Sequence, residues 1–116
     1  MKKIRAAVIG VGYLGQFHAE KYAANPDVEL VGIVDADPAR VAQIAAKLAT
    51  QPFTDVADLL GRVDAVSIVV PTVLHHRVAK RFLEQGTHVL LEKPITVTLE
   101  EADELIGLAQ RTGAIL

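Results

Sequence analysis

The sequence predicts an α/β fold, a doubly wound parallel sheet in three αβα layers. Short aliphatic runs alternate with helical segments along all 116 residues. That alternation makes parallel strands joined by right-handed helical crossovers. Hydrophobic residues make up 51% of the chain but aromatic residues only 4%. The core is therefore Val, Ile, Leu and Ala, which suits strands buried on both faces. Finally, Gly10, Gly12 and Gly15 separate the first aliphatic run from the first helical one, as in a tight strand-to-helix turn.

Residues 4–9, Ile-Arg-Ala-Ala-Val-Ile, read as a buried strand. Residues 13–25 read as a helix, stopped at Asn25-Pro26-Asp27 because the residue before a proline is pushed out of the α region. Residues 29–34 are the second strand, ending at Asp35. Asp37-Pro38 opens the next helix, with Asp as cap and Pro at the first helical position, and that helix runs to Leu48. Residues 51–53 are a short third strand, and Thr54 or Asp55 caps a small helix through Leu60. Residues 64–70 are a strand bounded by Pro71, residues 75–85 a helix closed by Gly86, and residues 87–91 the next strand. Thr98-Leu-Glu-Glu101 has the form of a capping box, and its helix ends near Thr112-Gly113. Ala114-Ile-Leu116 reads as a strand just begun, so a longer chain is expected to follow.

These elements make one domain, residues 1–116, without repeats, low-complexity segments or linkers. Net charge is −2 with Lys and Arg scattered, which leaves no basic stripe for nucleic acid. The chain has no cysteine. That removes disulfides, thiolate nucleophiles and Cys-zinc sites, and it fits a reducing compartment. No pair of histidines or carboxylates has metal-ligand spacing, so no metal is expected. The apolar run after Met-Lys-Lys breaks at Gly10, too early for a signal peptide. No segment approaches the roughly 20 apolar residues of a membrane span. A cytoplasmic protein without a membrane partner is expected.

Gly10-Val-Gly12-Tyr-Leu-Gly15 matches G-x-G-x-x-G. In a Rossmann-type dinucleotide site the first glycine allows the tight turn, the second lets a diphosphate approach the backbone, and the third lets the helix pack close to the strand. The helix N-terminus offers free N–H groups and partial positive charge to the phosphates. Tyr13 and Leu14 complete the loop as candidate cofactor contacts. The pattern alone also describes an ordinary glycine-rich turn. Its context adds weight. It follows a strand, opens a helix, and precedes a second strand ending at Asp35, 25 residues after Gly10. A carboxylate there accepts hydrogen bonds from the ribose hydroxyls. It welcomes a 2′-hydroxyl and repels a 2′-phosphate, so NAD is favoured over NADP. Arg40 lies a turn into the helix and reads as solvated. A P-loop ATPase would need G-K-[ST], which is absent. A methyltransferase binding S-adenosylmethionine has no diphosphate to cradle.

Glu92-Lys93-Pro94 stands directly after a strand, and strand ends line the ligand crevice of an open α/β sheet. A solvated loop is the competing reading, since charges are mostly exposed. The order Gly10-x-Gly12-x-x-Gly15-x-x-His18-Ala19, then Asp35, then Pro71-Thr72-x-x-His75, then Glu92-Lys93-Pro94 resembles the Gfo/Idh/MocA family (glucose–fructose oxidoreductase, inositol dehydrogenase, rhizopine catabolism). The likeness covers essentially the whole chain.

The resemblance implies an NAD(P)-dependent oxidoreductase acting on a sugar, nucleotide sugar or polyol. It places Glu92 by the nicotinamide-side ribose, Lys93 by the reacting carbinol as the catalytic group, and Pro94 in a turn open to a cis bond. An ammonium at Lys93 stabilises the oxyanion that develops as hydride leaves, and a neutral amine there acts as a base. Pro71 and Thr72 are set against the cofactor. His75 is set at a helix start facing the crevice, with a plain helix-start histidine as the alternative. His18 is expected to pack on the first helix, His76 to face elsewhere, and His88 to be structural. Tyr13 and Leu14, with His18, resemble members that oxidise nucleotide-linked amino sugars at the 3-hydroxyl. Family members carry a second, larger α+β domain with most substrate contacts, a further acid–base residue and the oligomer interface. The resemblance therefore implies that this chain is the cofactor domain of a homo-oligomeric enzyme, inactive by itself and liable to self-associate. Two other classes stay open. A non-catalytic NAD sensor has no use for Lys93, and a purely structural Rossmann module would bind no cofactor.

Overall fold

The structure, a computed structural model, describes residues 2–116. Five strands form one sheet: β1 (Ile4–Ile9), β2 (Val28–Val34), β3 (Gln51–Phe53), β4 (Ala65–Ile68) and β5 (His88–Leu91). Their spatial order is β3-β2-β1-β4-β5, and every neighbouring pair is parallel. Among the described residues, four α-helices flank the sheet: α1 (Tyr13–Ala24), α2 (Pro38–Leu48), α3 (His75–Glu84) and α4 (Leu99–Thr112).

Alternation along the strands divides the core in two. Val8 and Ile33 turn to one face and pack with Ala19 of α1 and Val41 and Ile44 of α2. Their neighbours Ala7, Ile9 and Val34 turn to the other face, against Phe82 and Leu83 of α3 and Leu105 and Leu108 of α4. This is the two-residue period of a strand buried on both sides. The three-layer, doubly wound parallel fold predicted from the sequence is the fold observed.

Local chemistry sets the helix ends. Asp37 accepts hydrogen bonds from the Ala39 and Arg40 amides at 3.1 and 3.2 Å, with Pro38 in the first turn of α2. Thr98 and Glu101 exchange both bonds of a capping box at the start of α4.

Three elements differ from the sequence reading by more than a single residue at an end. The strand expected over 64–70 ends at Ile68. Its neighbour β1 leaves the sheet at Gly10, whose φ is +92°, so after the Val69 amide's bond to the Ile9 carbonyl at 2.8 Å the chain has no strand to run beside. The small helix after Asp55 is a single 3-10 turn, Val56–Asp58. Residues 114–116 are not a strand, although Ile115 lies against β5. Its carbonyl accepts from the Val89 amide at 2.9 Å, and its amide donates to His88 Nδ1 at 2.9 Å.

At the opposite end of the sheet, Arg5 joins β1 to the start of β4. Its amide and guanidinium donate to the Asp64 carboxylate at 2.9 and 3.0 Å. These bonds, the guanidinium's first and the amide's second, hold the Asp64 carboxyl below its ordinary value. A lowered folded value stabilises the fold above the unfolded pKa, and that stability is lost as pH falls through the folded value. Asp64→Asn is therefore expected to lower the melting temperature at neutral pH. The gap should begin to narrow in melts taken below a pH of about 4 and close as pH falls through the lower folded value.

Candidate functional site

The strand order reverses between β1 and β4. In an open α/β sheet the crevice for ligands opens at that reversal, beyond the carboxyl ends of the strands. The glycine loop lies there. Gly10 has positive φ, and a Cβ on it would collide with the Val69 carbonyl. A Cβ on Gly15 would collide with the Gly10 carbonyl, backbone against backbone. Gly12 differs from both. Its φ is −70°, and a Cβ there would meet nothing within 4 Å. Neither packing nor backbone conformation asks for glycine at this position. The open space before α1, which has no side-chain cap and no acid in its first turn, fits an anion brought close to the backbone.

Asp35 follows β2 on the same rim. One oxygen accepts from the Val11 amide at 3.0 Å and the other from the Asp37 amide at 2.9 Å. The carboxylate thus holds the glycine loop, with its side chain 12% exposed. Arg40, expected to be solvated, reaches to 3.9 Å from Asp35. Both line a cleft of ≈ 550 Å³ together with Gly10, Gly12 and Pro71. Arg77 and Arg81 of α3 also line it. Sequence reasoning missed them, although their four-residue spacing puts them on one helix face.

The remaining predicted residues lie outside that cleft's wall. Tyr13 and Leu14 open α1 and are exposed. Thr72 opens the 3-10 turn that leads into α3. Glu92, Lys93 and Pro94 follow β5. The Glu92 amide donates to the Ile68 carbonyl at 3.2 Å, which fixes this turn beside the end of β4. Glu92 Oε1 accepts from the Lys93 amide at 3.3 Å, and the Lys93–Pro94 peptide is cis. Lys93 is exposed.

Two histidines are placed otherwise than expected. His18 does not simply pack on α1. Its Nε2 stands 3.6 Å from Glu92 Oε2, because this part of α1 lies beside Leu90 of β5. His75 does not face the crevice. It is 1% exposed and heads the buried stripe His75, Ala79, Phe82, Leu83 on the inner face of α3, a helical spacing that turns it inward. His76 faces α4, where its Nε2 lies 2.7 Å from Glu104 Oε1. That hydrogen bond, with Lys80 adding to it, lowers the Glu104 carboxyl.

Among the described residues no helix is long and apolar enough to cross a membrane. Residues 4–116 match the GFO_IDH_MocA family, described as an oxidoreductase family with an NAD-binding Rossmann fold. The chain is 49% identical over 116 residues to UDP-N-acetylglucosamine 3-dehydrogenase of Acidithiobacillus ferrooxidans, covering all of this chain and 36% of the relative. The structure of that enzyme superposes with a TM-score of 0.93, covering 100% of this chain and 38% of that one. In Bacillus subtilis, scyllo-inositol 2-dehydrogenase (NAD(+)) is 33% identical, with 97% of this chain and 34% of the relative covered. The scyllo-inositol 2-dehydrogenase (NADP(+)) IolU of the same organism is also 33% identical, with 97% and 35% covered. The chain spans about a third of the length of these relatives, of which the two inositol dehydrogenases are named for different nicotinamide cofactors. With residues 4–116 matched to that family's model, the chain belongs to the Gfo/Idh/MocA oxidoreductases, as their NAD(P)-binding Rossmann domain.

Proposed function

We propose that this chain is the cofactor domain of a longer, cytoplasmic, homo-oligomeric dehydrogenase that acts on a hydroxyl of a nucleotide-linked amino sugar, with NAD as its partner. The observation that carries this is the open space at Gly12 beside the Asp35 carboxylate. It fits a diphosphate at the loop and a ribose at the acid. The 49% identity to a UDP-N-acetylglucosamine 3-dehydrogenase supports the substrate class over a free polyol. The Asp35 carboxylate supports NAD, since it would repel a 2′-phosphate.

When bound, the nicotinamide supplies a carbon that accepts hydride. The chain's own residues hold and orient. Gly10, Gly12, Gly15 and the first turn of α1, with Tyr13 and Leu14, receive the diphosphate. Asp35 receives the adenosine ribose, and Pro71 and Thr72 flank the cofactor beyond β4. Glu92, steadied by His18, faces the second ribose. Lys93 places its Nζ by the substrate hydroxyl, where an ammonium stabilises the developing oxyanion and an amine takes the proton. Such an amine also counts against a purely sensing or structural role.

The test is reduction of NAD⁺ by the full-length protein given UDP-N-acetylglucosamine, with scyllo-inositol as the alternative substrate. Turnover with the nucleotide sugar is expected. Cofactor binding without turnover of either substrate would reduce the chain to a binding module. Asp35→Ala is expected to weaken NAD⁺ binding about tenfold or more and to erase the preference over NADP⁺, as read by titration of both.

A further inference from the structure

We infer that His75 is a positioning residue for Lys93: its buried ring fastens the Lys93–Pro94 turn to the end of β4. The inference rests on the role proposed above for Lys93. Nδ1 of His75 lies 3.1 Å from the Ile95 carbonyl, and Nε2 lies 3.0 Å from the Val70 carbonyl. Ile95 follows Lys93–Pro94 directly, and Val70 precedes Pro71 on the wall of the cleft. One ring therefore spans the two segments that must stand in register for a lysine to meet a cofactor.

Beyond the Glu92 amide's bond to the Ile68 carbonyl, which holds the near side of the turn, little else holds it. Lys93, Pro94 and Ile95 are exposed. The Lys93 amide bonds only to the neighbouring Glu92 side chain, and the Thr96 hydroxyl only to the Thr98 carbonyl. Among the described residues, the His75 ring makes the one hydrogen bond that joins residues 93–97 to another element of the domain. A carbonyl only accepts, so the ring must present an N–H to it. A neutral imidazole has one N–H, and a protonated ring has two. A histidine that served packing alone would need neither bond, and an apolar residue of similar shape would replace it at little cost. Lys93 stands between the Glu92–Ile68 bond and that tie, which holds the far side of its exposed turn. A misplacement of about 1 Å can cost about 100-fold in rate.

Three substitutions in the full-length, NAD⁺-loaded protein test this. In His75→Asn the amide nitrogen stands near the place of Nδ1 and can donate to Ile95. In His75→Gln it stands near the place of Nε2 and can donate to Val70. His75→Leu offers neither. Backbone order parameters at the Lys93, Ile95, Thr96 and Val97 amides, from NMR relaxation, are read alongside turnover of UDP-N-acetylglucosamine. In His75→Leu and His75→Gln, these order parameters are expected to fall from about 0.85 to below about 0.6, and kcat to fall about 100-fold with NAD⁺ affinity within about threefold. His75→Asn is expected to restore both. Unchanged order parameters in His75→Leu, or rescue by Gln equal to that by Asn, would overturn the inference. If His75→Leu does not fold, the Asn and Gln variants decide. If the unaltered protein reduces no NAD⁺, the proposed activity fails, and the order-parameter comparison still decides the role of His75.

Discussion

Lys93→Met in the full-length protein is expected to lower kcat by about 10²–10⁴-fold while leaving NAD⁺ affinity within about threefold. The lysine stands on the turn after β5, and its side chain is exposed. Methionine keeps the apolar stem of the side chain and removes the ammonium. What is lost is a group needed only as the hydroxyl gives up its proton, so the loss falls on kcat rather than on cofactor binding. The neighbouring Glu92 keeps its own partners, the Lys93 amide and His18, so the turn keeps its shape. Steady-state kinetics with a parallel NAD⁺ titration reads the two quantities separately. A kcat within threefold of the unaltered protein would remove Lys93 from the chemistry.

The second large effect separates two glycines of one loop. Gly12→Ala is expected to leave the fold intact, with a melting temperature lower by no more than about 4 °C, and to weaken NAD⁺ binding about tenfold or more. The added methyl group enters open space, and that space is where a diphosphate must lie. Gly15→Ala is expected to do the reverse damage. Its methyl group meets the Gly10 carbonyl, and backbone on both sides leaves nothing flexible to yield. The fold should lose about 2–3 kcal/mol, or about 10 °C or more in melting temperature. Melts of both variants with and without NAD⁺ give the comparison. Equal destabilisation by both would mean that Gly12, too, serves packing.

Much of this was legible because the deciding chemistry is local. Asp37-Pro38 and Thr98-x-x-Glu101 carry their helix starts within a few residues. The alternation of Ala7, Val8 and Ile9 carries its two-faced burial. The glycine loop and Asp35 could be placed on one rim because a parallel sheet puts successive strand ends side by side. Other features depend on contacts between segments far apart in sequence. The end of β4 at Ile68 follows from where β1 departs at Gly10, which no property of Val69 or Val70 reveals. His18 meets Glu92 only because α1 lies beside β5. Arg77 and Arg81 show their shared face in the sequence, but that the face borders the cleft follows from the β1–β4 reversal. His75 is the mixed case. Its spacing to Ala79 and Phe82 announces burial, while its bonds to Val70 and Ile95 come from two loops that only the fold brings together.

A dinucleotide at the glycine loop is read by calorimetric titration of the full-length protein with NAD⁺ and then NADP⁺. Saturable binding is expected, tighter for NAD⁺ and weakened by Gly12→Ala in a protein that still melts cooperatively. A protein shown by its melt to be folded that takes up neither nucleotide would contradict it.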